Sequence, residues 1–205
     1  MKKMLILCNG QPPAEELLRK YRANADYFIA ADGGGNIALD FGIPPDAVIG
    51  DLDSFKKPEN VDFEIIQKPD QYANDLEKAL QLAQQKQGTH VHILGATGQR
   101  MDHSLKNLSV LKQFHDQFQV LRMRDTFGEI RLLDSPFEEE FAIGTTLSLF
   151  PLSGTVSGIT TSGLKYPLTD EILKNGVRDG SSNEVVETPV CITHKSGDLL
   201  LFVAE

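Results

Sequence analysis

Tyr27-Phe28-Ile29-Ala30-Ala31 runs into Asp32-Gly33-Gly34-Gly35-Asn36, continues through Ile37 to Phe41, and is followed by Ala47-Val48-Ile49 and Gly50-Asp51-Leu52-Asp53-Ser54. A short apolar run bounded by glycines reads as a strand, the stretch Asn36–Phe41 as a helix, and Ala47–Ile49 as a second strand. Strand, helix and strand joined by short links call for a parallel pair with a crossover helix. The alternation extends both ways. Met4–Cys8 reads as a strand and Ala14–Tyr21 as a helix before it; after it come strand Phe63–Ile66, helix Asp75–Gln87, strand His90–Leu94, helix Asp102–Phe118 and strand Val120–Met123. The expectation is an α/β domain over residues 1–127, with a mainly parallel, Rossmann-like sheet flanked by helices. Leu76, Ala79, Leu80 and Ala83, and again Leu105, Leu108, Leu111 and Phe114, recur at helical spacing and are read as core faces.

After Thr126 the texture changes to short alternating runs: Glu129–Leu133, Phe137–Phe141, Thr146–Phe150, Thr155–Thr160, Val190–His194 and Leu199–Val203. Ser-Gly, Asn-Gly and Asp-Gly pairs punctuate them, which predicts a smaller all-β sandwich over residues 128–205.

The chain of 205 residues carries 29 acidic and 20 basic side chains, a formal charge of -9. Such a chain repels a phosphate backbone, so nucleic acid is not an expected partner. To bind a polyanion such as ATP it needs a divalent cation between carboxylates and phosphates. Cys8 and Cys191 are far apart and belong to no Cys-x-x-Cys pair, which fits a reducing compartment. The apolar run at the N-terminus is shorter than a signal-peptide core, and no stretch approaches the roughly 20 apolar residues of a membrane span. A cytoplasmic protein without a membrane partner is expected.

No Gly is followed by Lys, and no Gly-x-Gly-x-x-Gly follows a strand near the N-terminus, so the two common phosphate-binding signatures are missing. Four other segments carry candidate chemistry. At Asp32-Gly33-Gly34-Gly35-Asn36, backbone N–H groups can approach an anion; equally, the triglycine is a tight turn with Asn36 as helix N-cap. At Gly50-Asp51-Leu52-Asp53-Ser54, an extended backbone would point both carboxylates to one place, where a hard cation such as Mg2+ could sit; an acidic surface turn is the alternative. At Gln71-Tyr72-Ala73-Asn74-Asp75, helix initiation by an Asn74 cap, with Asp75 near the positive end of the helix dipole, is sufficient explanation. At Gly95-Ala96-Thr97-Gly98-Gln99-Arg100-Met101-Asp102-His103, glycines, a helix start and a guanidinium suit phosphate oxygens. All four lie at strand-to-helix junctions, which share one edge of a parallel sheet and would form one acidic, glycine-lined site.

In order and spacing these segments, with Pro45-Asp46 and Asp70, closely resemble the thiamine pyrophosphokinase family. The resemblance continues through Thr146-Leu147-Ser148-Leu149, Ser162 to Leu168 and Ser182-Asn183-Glu184. It implies transfer of the pyrophosphoryl group of ATP to thiamine, giving thiamine diphosphate and AMP, with magnesium as cofactor. It further implies that Asp51, Asp53 and Asp75 hold magnesium, that Asp32 and Asp102 complete the acidic shell, and that Arg100 and Gln71 hold phosphates. Gly33, Gly34, Asn36, Asn74, Thr97 and Tyr166 are implied in substrate binding. A homodimer is implied as well, with Ser182 and Asn183 of the β-domain reaching thiamine held by the partner. Asn74 stands where the family commonly has Thr, and Tyr166 where many members have Trp. Rival readings are a magnesium-nucleotide transferase acting on another heterocyclic alcohol and a non-catalytic nucleotide-binding module; retention of Asp51, Asp53, Asp75 and Asp102 favours turnover.

Overall fold

The structure, a computed structural model, describes residues 1–205 as two units, Met1–Thr126 and Phe127–Glu205. In the first unit, β1 (Lys3–Leu7), β2 (Tyr27–Ala31), β3 (Ala47–Gly50), β4 (Glu64–Gln67), β5 (His90–Leu94) and β6 (Val120–Arg124) alternate with α1 (Glu15–Ala23), α2 (Gly34–Asp40), α3 (Asp75–Gln85) and α4 (Met101–Phe114). The strands are all parallel, in the order β6-β5-β1-β2-β3-β4. Parallel strands covered on both faces need apolar residues at successive positions, and Met4 to Leu7 and Phe28 to Ala31 are all buried.

Two local readings of the sequence need correction. Helix α2 starts at Gly34 with Gly33 at its N-cap, so Asn36 is not the cap. The Asn36 amide instead ties down the loop after β3, donating to the Ser54 carbonyl at 2.8 Å and accepting from the Lys56 N–H at 2.9 Å. The triglycine answers to packing: a Cβ on Gly34 would lie 2.2 Å from the Leu7 carbonyl oxygen, so only glycine lets α2 approach β1 this closely. Helix α4 ends at Phe114, a 3-10 turn follows over His115–Gln117, and the buried stripe is Asn107, Val110, Leu111 and Phe114, while Leu105 is exposed. Leu105, Leu108, Leu111 and Phe114 also recur every three residues, a spacing that drifts around a helix of 3.6 residues per turn.

His92 lies on β5 against the Tyr21 ring, with centroids 4.9 Å apart. Burial first, and then the positive charge of Arg122, His90, Arg124 and Lys3, pushes it down to about 4. A histidine depressed in the folded state gives stability that is present above the unfolded value, near 6.5, and lost as pH falls towards 4. Urea unfolding at a series of pH values is expected to show stability falling between about pH 6.5 and 4, with a shallower decline in His92→Gln. Equal slopes for both proteins would contradict this.

The second unit contains β7 (Gly128–Leu132), β8 (Phe137–Glu139), β9 (Thr146–Pro151), β10 (Thr155–Ser162), β11 (Glu171–Lys174), β12 (Gly180–Glu184), β13 (Val190–Thr193) and β14 (Leu199–Ala204). Within this unit they form antiparallel runs β12-β9-β14-β7 and β11-β10-β13-β8. Inward residues of both, including Leu147, Leu149, Leu201, Val156, Leu173 and Ile192, share one core, the arrangement of a β-sandwich. No helix in the chain is long and apolar enough to cross a membrane.

Candidate active site

Because β2, β3, β4 and β5 are parallel neighbours or near neighbours, the loops at their carboxyl ends open on the same side of the first unit. There they surround a cleft of about 560 Å³. Asp32 follows β2 in a left-handed conformation, Asp51 and Asp53 follow β3, and Asp75 opens α3. All four line the cleft, together with Gln71, Asn74 and Arg100.

Within it, carboxylate oxygens of Asp32, Asp51 and Asp75 lie within 4.8 Å of one another. Asp32 is 3 % exposed, and its Oδ1 is buried without a hydrogen-bond partner. Burial, and secondarily the charge of Asp75, raises its carboxyl above the usual range despite a backbone bond from Gly33. Asp51 moves the other way, because the Gln71 amide donates to its Oδ2 at 3.1 Å and the Asp53 N–H adds to the effect. A buried carboxylate oxygen with no donor, set beside two further carboxylates, is a donor set for a hard divalent cation. Gly50 keeps the space open: a Cβ there would sit 2.8 Å from the Asp32 Cβ and 3.1 Å from Asp75 Oδ1.

Asp51 and Asp53 do not share a face in the way an extended strand would place them. Leu52 between them is left-handed (φ 68°), which rotates successive side chains away from simple alternation. Asp53 instead accepts from the Ser54 hydroxyl at 2.9 Å and its N–H donates to Asp51 Oδ1 at 3.3 Å.

Asn74 caps α3 in a reciprocal capping box with Glu77 and thereby fixes the helix start that carries Asp75. Lys78, one turn on, is 5 % exposed, lines the cleft and pairs with Asp75 Oδ1 at 3.2 Å. In the sequence Lys78 is marked only by its spacing of three from Asp75, which makes the two helical neighbours. Asn107 is marked only as a polar residue on the buried stripe of α4, three and four residues before Val110 and Leu111.

Arg100 is held at the cleft by Asp102, whose two carboxylate oxygens accept from its Nε and Nη2; this pairing holds Asp102 below the usual carboxylate range. Asp102 is therefore the partner of Arg100, outside the three-carboxylate cluster. The Thr97 hydroxyl donates to Asp125 at 3.0 Å. Gly33, Gly34 and Asn36 shape the loop of Asp32, with the Gly35 and Asn36 N–H groups already bonded to Asp32 and Gly33 carbonyls. In the second unit, Tyr166 is largely exposed and exchanges hydrogen bonds with Asn183, its N–H donating at 3.0 Å and its carbonyl accepting at 2.8 Å. Ser182 is left-handed (φ 57°) on the edge strand β12.

The family model "Thiamin pyrophosphokinase, catalytic domain" matches residues 18–122, and "Thiamin pyrophosphokinase, vitamin B1 binding domain" matches residues 136–199. The chain is 30 % identical to thiamin pyrophosphokinase 1 of Caenorhabditis elegans over 98 % of its own length and 88 % of the relative's. It is 27 % identical to thiamine pyrophosphokinase of Bacillus subtilis, covering 98 % of each. The crystal structure of thiamine pyrophosphokinase from Bacillus subtilis superposes with a TM-score of 0.84, at 25 % identity and 99 % coverage of each chain. With catalytic and vitamin-binding models matching in turn and relatives matching end to end, the chain belongs to the thiamin pyrophosphokinase family.

Proposed function

We propose that this chain transfers the pyrophosphoryl group of ATP to the hydroxyethyl oxygen of thiamine, giving thiamine diphosphate and AMP, with Mg2+ as cofactor. The observation that carries this reading is the cluster of Asp32, Asp51 and Asp75 at the carboxyl edge of the parallel sheet, in a chain of this family. With Lys78 the cluster carries a formal charge of about -2, which a divalent cation matches. Asp32, Asp51 and Asp75 would hold the ion, and Asp53 in the same cleft would hold one of its waters or a second ion. Magnesium there supplies charge neutralisation on phosphate oxygens of the nucleotide.

The chain's own groups do the positioning. Gln71 fixes the Asp51 carboxylate, and Arg100, aligned by Asp102, offers a planar fork to phosphate oxygens on the opposite wall. Held in line, attacking oxygen and β-phosphorus need little further ordering, which is where most of the acceleration arises in phosphoryl-type transfers. Homodimerisation, with Tyr166, Ser182 and Asn183 of one subunit contacting thiamine held by the other, belongs to the same proposal and is supported by the exposure of Tyr166. So does a cytoplasmic location, supported by two unpaired cysteines.

AMP formation from ATP and Mg2+, measured with and without thiamine, tests the reading. Thiamine-dependent AMP that vanishes on chelation is the expected result. Background AMP from the folded protein would transfer the proposal to another heterocyclic alcohol, or to a binding protein.

A further inference from the structure

The cleft has two walls made by different elements: the start of α3, with Asp75, and the loop after β5, from Gly95 to Arg100. Backbone bonds fix that loop on one side, where the Gly10 N–H donates to the Gly95 carbonyl at 2.7 Å and the Gln11 N–H to the Thr97 carbonyl at 2.8 Å. On the other side a pair of amides reaches it. Asn74 Oδ1 accepts from the Glu77 N–H at 2.9 Å as the helix cap, while its Nδ2 donates to Asn107 Oδ1 at 2.9 Å. Asn107 Nδ2 then donates to the Ala96 carbonyl at 2.7 Å.

Each of these amide contacts is directional, and Asn107 is 9 % exposed on the inward stripe of α4. A polar residue placed among Val110, Leu111 and Phe114 destabilises unless its partners are fixed, so the pairing holds both ends to one geometry. Apolar contacts could pack α4 equally well. They could not specify the rotation of the Ala96 peptide relative to the Asn74 cap.

We propose that Asn74 and Asn107 form a two-amide strap that makes the position of Asp75 and the conformation of the Gly95–Arg100 loop interdependent, with Asn107 as a positioning residue for both walls of the cleft. Neither amide needs to touch substrate. The consequence for metal binding rests on the magnesium reading above; the mechanical link does not. Ordering the loop stabilises the α3 start through the strap, and ordering the α3 start stabilises the loop, so binding at either wall favours binding at the other.

The cleanest variant is Asn74→Ser, because serine keeps the cap to the Glu77 N–H and lacks the reach of the second amide group. Its partner is Asn107→Ala, which cuts the strap at the far end, on a residue that does not adjoin Asp75. Two readouts on the full chain are required. The first is amide hydrogen exchange of the peptide covering residues 95–100 without metal or nucleotide. The second is calorimetric titration with Mg2+ alone.

Exchange over 95–100 is expected to rise several-fold in Asn107→Ala and to a smaller degree in Asn74→Ser, although the latter change lies on another element, and to rise no further when Asn74→Ser is added to Asn107→Ala. Mg2+ affinity is expected to fall about tenfold in Asn107→Ala, the usual size of an outer-shell loss. Unchanged exchange in Asn74→Ser overturns the strap, and additive effects in the double variant overturn it too. Raised exchange with unaltered Mg2+ affinity overturns the coupling to the metal wall. A wild-type protein that takes up no Mg2+ but shows the exchange effect sinks the magnesium reading and leaves the strap standing.

Discussion

Asp75→Asn is expected to lower kcat/KM for thiamine-dependent AMP formation on the order of 10³-fold while the protein stays folded. The substitution preserves size and one acceptor oxygen and removes a single negative charge. That charge is one of three converging within 4.8 Å, and the buried Lys78 ammonium is balanced by it at 3.2 Å. Without it Lys78 competes for Asp32 and Asp51, and the cluster loses about half of its excess negative charge. Groups that neutralise a transferring phosphoryl group act mainly in the transition state, so kcat falls along with kcat/KM. The folding cost is modest by comparison, because Asp32 and Asp51 remain beside Lys78 to compensate its charge and the helix-dipole contribution of an acidic first-turn residue is only about 0.3–1 kcal/mol. Steady-state kinetics with circular dichroism as a folding control would decide it. Activity within tenfold of wild type would remove Asp75 from the machinery.

The second large effect is on stability. Phe28 is fully buried on β2 within a cluster of Leu5, Leu7, Leu18, Ala38, Ile43 and Leu94, drawn from the central strands and both helices of one layer. Truncation to alanine removes the ring and leaves a cavity that close-packed strands cannot collapse into, a cost of about 3–5 kcal/mol. The Phe28 N–H keeps its 2.7 Å bond to the Asp46 carboxylate, so the loss is one of packing and not of backbone satisfaction. Thermal unfolding of Phe28→Ala is expected to fall on the order of 10 °C. A change below about 1 kcal/mol in urea unfolding would mean that the core relaxes around the gap, against the usual cost of such truncations.

The elements of the first unit were legible because a parallel sheet writes itself as unbroken apolar runs, and Tyr27–Ala31 and His90–Leu94 fall at their observed bounds. What hid was polar structure. Strands β11 and β12 escaped because they are edge strands whose outward residues read as loop, as in Gly180-Ser181-Ser182-Asn183-Glu184. The convergence of loops on one edge follows from topology alone, so the sequence suffices to gather Asp32, Asp51, Asp53, Asp75 and Arg100. Their detailed geometry could not: the left-handed Leu52 that breaks the Asp51–Asp53 pairing carries an ordinary side chain. Lys78 and Asn107 sit in stretches whose composition suits a plain amphipathic helix, and burial is what gives their weak spacing signals meaning.

Strand β1 lies in the middle of its sheet, paired with β2 on one side and with β5 on the other. During vectorial synthesis β1 leaves the ribosome before both of its neighbours and therefore waits, half paired, until His90–Leu94 has emerged. Met4 to Leu7, wholly apolar, must be shielded from other nascent chains through that interval, and closing so long a loop makes this step slow. Slowed elongation would lengthen that interval, and its effect would come through a segment that contributes no side chain to the acidic cluster.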